Sequence, residues 1–163
     1  MMAAPIRQSQ ARPTSGGSSA QDFVAIVDDD PHIAEALIGW LEFHGLCGLP
    51  YASGESLLQA LHGESGQWTL SAGDGNPVSF RLAAAVLDLN LPGIPGFELA
   101  ATLRRRDPGL PLVIITALRE DERARYGTAP SGVRCLKKPF DLDTLEDLLL
   151  PLPRDSIPGQ SSP

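Results

Sequence analysis

Five short apolar runs, each halted by polar residues, constrain this chain more than any other feature of its sequence. They are FVAIV (23–27), LCGLPY (46–51), LAAAVL (82–87), PLVII (111–115) and VRCL (133–136). Continuous apolar runs of this length, bounded by turn residues and enriched in β-branched side chains, suit strands buried on both faces. Pro50 places the second run at a sheet edge, where a missing N–H is tolerated. Helical signals fill the intervals. Asp30 followed by Pro31 pairs an N-cap with a first-turn proline, and Ile33, Leu37, Trp40, Leu41 and His44 then share one helical face until Gly45 stops it. Further helices are expected over 53–61, 96–106 and 141–150, with a short charged one in REDERARY (119–126). Strands alternating with helices in this way imply an open, five-stranded parallel α/β sheet covered on both faces.

The 16 glycines and 15 prolines among 163 residues would prevent a sizeable core if they were spread evenly. Many of them gather instead in a leader (1–21), an internal stretch (63–80) and a tail (151–163). Leader and tail lack apolar periodicity and are expected to be disordered, because they bury too little surface to offset the entropy of ordering them. One domain remains, over 22–150, with 63–80 as an insertion. Inside the insertion QWTL and PVSF flank the turn-rich SAGDGN, a pattern open to two readings: a disordered insert, or, as preferred here, a small hairpin that keeps Trp68 and Phe80 from being exposed.

Charge and cysteine usage exclude other classes. Lys and Arg number 13 against 20 Asp and Glu, a net charge of -7, which argues against nucleic acid as the main partner. Cys47 and Cys135 have no metal-ligand spacing, so neither a zinc site nor a disulfide framework is expected, and both are read as small buried residues. No run approaches the roughly 18 apolar residues of a membrane span, and the opening segment lacks the apolar stretch of a signal peptide. A soluble cytoplasmic protein without a membrane partner is expected.

In open α/β sheets, ligands bind beyond the carboxyl ends of the strands. Here the first strand ends in Asp28 and Asp29, the third in Asp88, the fourth in Thr116 and the fifth near Lys138. Three carboxylates brought together repel one another and call for a cation. Mg²⁺ suits an open acidic loop, because it takes one or two carboxylates and keeps waters or phosphate oxygens. Asp88, beside such an ion and Lys138, is then placed to act as a carboxylate nucleophile toward phosphorus, with Thr116 and Lys138 holding the phosphoryl oxygens.

IVDDDP, VLDLNLPGIPGFEL, IITA and KKPF, in that order and each at an expected strand end, resemble the receiver domain of two-component response regulators over roughly 22–150. The resemblance implies a flavodoxin-like sheet of strand order 2-1-3-4-5. It also implies that Asp88 is the phosphoacceptor and that Asp28 and Asp29 bind Mg²⁺ together with Asp88 and the backbone carbonyl of Asn90. Thr116 matches the hydroxyl that moves toward the phosphoryl group, Ala117 the small residue beside it, and Lys138 the lysine that pairs with the acyl phosphate. The Lys138–Pro139 peptide is usually cis in this family. The implied partners are a sensor histidine kinase or histidine phosphotransfer protein as donor and a downstream effector protein.

Some positions depart from the family's pattern. Cys135 stands where an aromatic residue usually reports phosphorylation, and GTAPSG (127–132) replaces the usual end of the fourth helix, so that helix is expected to be short. Leu118 offers no polar group to orient an attacking water, which points to slow loss of the phosphoryl group. The 13 residues after Leu150 are too few for a DNA-binding unit, so a stand-alone regulator is expected, acting by contact or onward phosphotransfer and not as an enzyme. The rivals are a pseudo-receiver that never uses its acceptor, and a phosphatase of the haloacid dehalogenase type. The latter wants a second aspartate where this chain has Asn90.

Overall fold

The computed structural model describes residues 21–61, 68–71 and 77–149, with 68–71 and 77–79 described by their backbone alone. The tail (151–163), the leader up to residue 20 and the centre of the insertion lie outside the described residues. In chain order the elements are β1 (Gln21–Val27), α1 (Pro31–Phe43), β2 (Cys47–Tyr51), α2 (Gly54–Ala60), β3 (Trp68–Ser71), β4 (Pro77–Asp88), α3 (Gly96–Arg106), β5 (Leu112–Thr116), α4 (Glu120–Arg123), a 3-10 turn (Ala124–Tyr126), β6 (Arg134–Lys137) and α5 (Leu142–Leu149).

The five parallel strands run in the order β2-β1-β4-β5-β6, which is the expected 2-1-3-4-5 sheet once β3 is set aside. β3 is the first strand of the insertion. It pairs antiparallel with β4, Trp68 opposite Phe80 and Ser71 opposite Pro77, so the pairing expected of QWTL and PVSF is present. The second of these segments is not a separate strand, however. It runs directly into LAAAVL as one strand from Pro77 to Asp88, and the same edge of β4 meets β3 in its first third and β5 from Ala85 onward.

Strand side chains alternate between two cores. Phe23, Ala25 and Val27 of β1 join Leu57 of α2 and Phe97, Leu99, Ala100 and Leu103 of α3 on one face. Val24 and Ile26 join Ala34, Leu37 and Leu41 of α1 and Leu145 and Leu149 of α5 on the other. In β4 the alternation breaks once. Phe23 pairs with Leu82 but Val24 with Ala84, so Ala83 is an extra residue, a bulge that lets Leu82, Ala85 and Leu87 all reach the α2/α3 core.

The helix ends follow local chemistry. The Asp30 side chain accepts from His32 N–H at 2.9 Å and caps α1, while Ser53 accepts from Ser56 N–H at 3.2 Å and caps α2. α4 lasts only four residues before tightening into the 3-10 turn and buries no residue. Consequently Cys135, on the outermost strand β6, is exposed; Cys47, on the opposite edge strand β2, is half-buried. The expectation of two buried thiols fails because both lie on edge strands, Cys47 on β2 and Cys135 on β6, and α4 is too short to cover β6. Among the described residues, no helix is long and apolar enough to cross a membrane.

Candidate functional site

The sheet order brings the polar strand ends together. β1 and β5 flank β4, and β6 follows β5, so Asp28, Asp88, Thr116 and Lys138 stand side by side at one edge. Asp88 is the last residue of β4, opposite Ile115. Backbone bonds carry the ladder past the strand ends: Leu89 N–H donates to Ile115 carbonyl at 3.0 Å, and Lys138 N–H to Thr116 carbonyl at 2.7 Å. The Lys138–Pro139 peptide is cis, as the resemblance implied.

Among the described residues, the buried polar ones are Asp28, Asp88 and Thr116, at 4%, 8% and 1% exposure, while Asp29 is exposed. The three carboxylates offer oxygens within 4.8 Å of one another. Opposite corners of a magnesium octahedron with bonds of about 2.1 Å lie roughly 4.2 Å apart, so this all-oxygen donor set fits a hard divalent cation. Lys138 Nζ lies 3.2 Å from Asp28 Oδ2 and 3.6 Å from Asp88 Oδ2. Asp28 Oδ1 accepts from Asp30 N–H at 2.9 Å, and Asp88 Oδ1 from Asn90 N–H at 3.3 Å. Thr116 Oγ1 accepts from Leu118 N–H at 3.0 Å, which orients the hydroxyl at the end of β5.

Burial pushes the Asp88 carboxyl above the usual carboxylate range; Lys138 opposes the rise, Asp28 adds to it, the Asn90 N–H opposes it and Asp29 adds to it. A cation placed beside this carboxyl would favour its ionised form.

Two contacts were not visible in the sequence. Glu55, in the first turn of α2, accepts from Ile94 N–H at 2.9 Å through Oε1 and so grips the loop between β4 and α3. From the other side the Tyr126 hydroxyl donates to Asn90 Oδ1 at 3.0 Å. The loop also depends on two glycines. Gly93 has φ +73° beside the Glu55 carboxylate, and a Cβ on Gly96 would stand 2.5 Å from the Asp88 carbonyl oxygen and 2.8 Å from Leu89 Cα. The start of α3 is thus seated against the backbone of Asp88 itself.

Residues 78–150 match the family model of the response regulator receiver domain. This chain carries a receiver domain. The C4-dicarboxylate transport transcriptional regulatory protein DctD of Pseudomonas aeruginosa is 30% identical over 128 residues, covering 78% of this chain and 24% of that protein. The chain spans about a quarter of the length of several curated relatives it matches, DctD among them. Among solved structures, the CheY-like response regulator receiver domain protein of Methanospirillum hungatei is similar in fold with a TM-score of 0.60, at 22% identity over 82% of this chain and 94% of that one. Chemotaxis protein CheY4 of Vibrio cholerae matches with a TM-score of 0.58, at 23% identity over 82% of this chain and 99% of that one. The receiver domain is a signalling module of two-component systems, and the flavodoxin-like sheet expected from the sequence is the sheet observed.

Proposed function

We propose that this receiver domain is a phosphorylation switch that accepts a phosphoryl group on Asp88 from the phosphohistidine of a sensor histidine kinase or histidine phosphotransfer protein. The observation that carries this reading is the meeting of Asp28, Asp29 and Asp88 with Thr116 and Lys138 at one sheet edge. In the transfer an Asp88 carboxylate oxygen bonds to phosphorus as the phosphorus–nitrogen bond to imidazole breaks. The bonding pair stays on the imidazole nitrogen, which takes up a proton, and an acyl phosphate remains. Asp28, Asp29, Asp88 and the Asn90 backbone carbonyl are the groups that would hold Mg²⁺, which supplies charge neutralisation for the phosphoryl oxygens. Lys138, already 3.6 Å from Asp88 Oδ2, pairs with the new phosphoryl charge, and the Thr116 hydroxyl donates to it.

Transfer of this kind is stoichiometric, so the domain signals and does not turn over a substrate. Its output passes to an effector protein by contact or by onward phosphotransfer, in a cytoplasmic setting. Leu118 places an apolar side chain, packed on the α2/α3 core, beside the site, and this supports a long-lived acyl phosphate. Incubation with labelled acetyl phosphate and Mg²⁺ tests the reading. One equivalent of base-labile, acid-stable label is expected. Continuous hydrolysis of small phosphate esters without retained label would indicate a phosphatase instead.

A further inference from the structure

The aromatic contact to the acceptor loop comes from Tyr126, while position 135 carries an exposed thiol. α4 is so short that the 3-10 turn returns Tyr126 toward the end of β4, where it packs on the α2/α3 core. Its hydroxyl donates to Asn90 Oδ1 at 3.0 Å, and the backbone N–H of the same asparagine donates to Asp88 Oδ1 at 3.3 Å. Two hydrogen bonds through one residue therefore join the acceptor carboxylate to the segment between β5 and β6. That segment is anchored by Tyr126 and Ala129, which pack partly buried on the core; neither α4 nor the 3-10 turn contains a fully buried residue, so its displacement breaks less packing than displacement of a helix with buried residues would.

We propose that Tyr126, acting through Asn90, couples the state of Asp88 to the segment 119–132. The proposal rests on Asp88 being the phosphoacceptor. An acyl phosphate converts a carboxylate oxygen that accepts from Asn90 N–H into part of an ester-like group, a weaker acceptor, and adds charge and volume beside it. Asn90 then reorients, its side-chain oxygen leaves the Tyr126 hydroxyl, and the 3-10 turn gives up its tie to the acceptor loop. Tyr126 thereby takes up, from a different element, the reporting task that Cys135 cannot perform.

The chain has two tyrosines, Tyr51 and Tyr126, so fluorotyrosine incorporated into the full chain gives two fluorine NMR signals, assigned with Tyr126→Phe. Acetyl phosphate with Mg²⁺ is the probe, and intact mass measures the phosphorylated fraction in the same sample. The Tyr126 signal is expected to move on phosphorylation. In Asn90→Ala it is expected to start displaced and, scaled to phosphorylated fraction, to move less than half as far. A Tyr126 signal that stays put in protein shown by mass to be phosphorylated overturns the coupling alone. An equal displacement in Asn90→Ala also overturns it. Absence of any added mass overturns the acceptor reading, and the coupling falls with it.

Discussion

Replacing Asp88 with asparagine is expected to stabilise this protein at neutral pH in the absence of divalent metal. At 3.6 Å and an effective dielectric of about 20, attraction between Lys138 and Asp88 is worth about 5 kcal/mol. Repulsion from Asp28, with oxygens no more than 4.8 Å away, is about 3.5 kcal/mol on the same scale. Exposed Asp29 adds about 1 kcal/mol at the dielectric of water. These contributions nearly cancel, which leaves the cost of removing the carboxylate from water offset only by the long Asn90 N–H bond. For a group that keeps 8% exposure this cost is about 1–3 kcal/mol, below the several kcal/mol of a fully buried ion. Asparagine removes it, keeps an oxygen for Asn90 N–H, and leaves Lys138 paired with Asp28 at 3.2 Å. The gain corresponds to a Tm rise of roughly 3–12 °C for a domain of this size.

The pH dependence follows from the direction of the Asp88 shift. Because its carboxyl is raised, the folded chain holds this proton to higher pH than the unfolded chain does. Stability is therefore lost as pH rises from the ordinary carboxylate value, near 4, through the raised one, and the loss is complete above it. The advantage of Asp88→Asn is full above the raised value and shrinks toward zero as pH falls to about 4. Thermal unfolding followed by circular dichroism in EDTA measures it. A variant less stable than the parent at neutral pH, or a gap that does not change over this range, would refute the reasoning.

Gly96→Ala should destabilise by about 1–3 kcal/mol in urea unfolding, because its Cβ meets the backbone of Asp88 and Leu89, which cannot swing aside; an unchanged midpoint would contradict the close seating of α3. Loss of the Glu55 carboxylate in Glu55→Ala should cost about 1–2 kcal/mol and speed amide exchange at Ile94, whose N–H it holds. Leu118→Gln supplies a polar group beside the acceptor and is expected to shorten the lifetime of the phosphorylated protein several-fold, read as label lost over time; an unchanged or longer lifetime would count against the role given to Leu118.

The fold was legible wherever local pattern and burial coincide. FVAIV is a central strand with both faces covered, so its continuous apolar character reports burial directly, and the expected 96–106 helix is α3 from Gly96 to Arg106. The site was legible for the same reason, since the residue that ends each parallel strand falls on one edge. Cys135 was misread because apolar content in a four-residue run does not tell an edge strand from a central one. The union of PVSF with LAAAVL was hidden by Arg81, a charged residue that interrupts the apolar pattern where the segments join and that pairs with Asp22 of β1. Glu55 and Tyr126 had no local signal at all. Each reaches the acceptor loop from 36 or more positions away in sequence, and only the packing of α2 and the early end of α4 place them there.

Intact-mass measurement of parent and Asp88→Asn protein, each incubated with acetyl phosphate and Mg²⁺ and with EDTA in its place, tests the central claim most directly. The parent is expected to gain the mass of one phosphoryl group with Mg²⁺ and none with EDTA, and Asp88→Asn to gain none in either. An unchanged parent, or an equal gain in Asp88→Asn, would contradict the assignment of Asp88 as the phosphoacceptor.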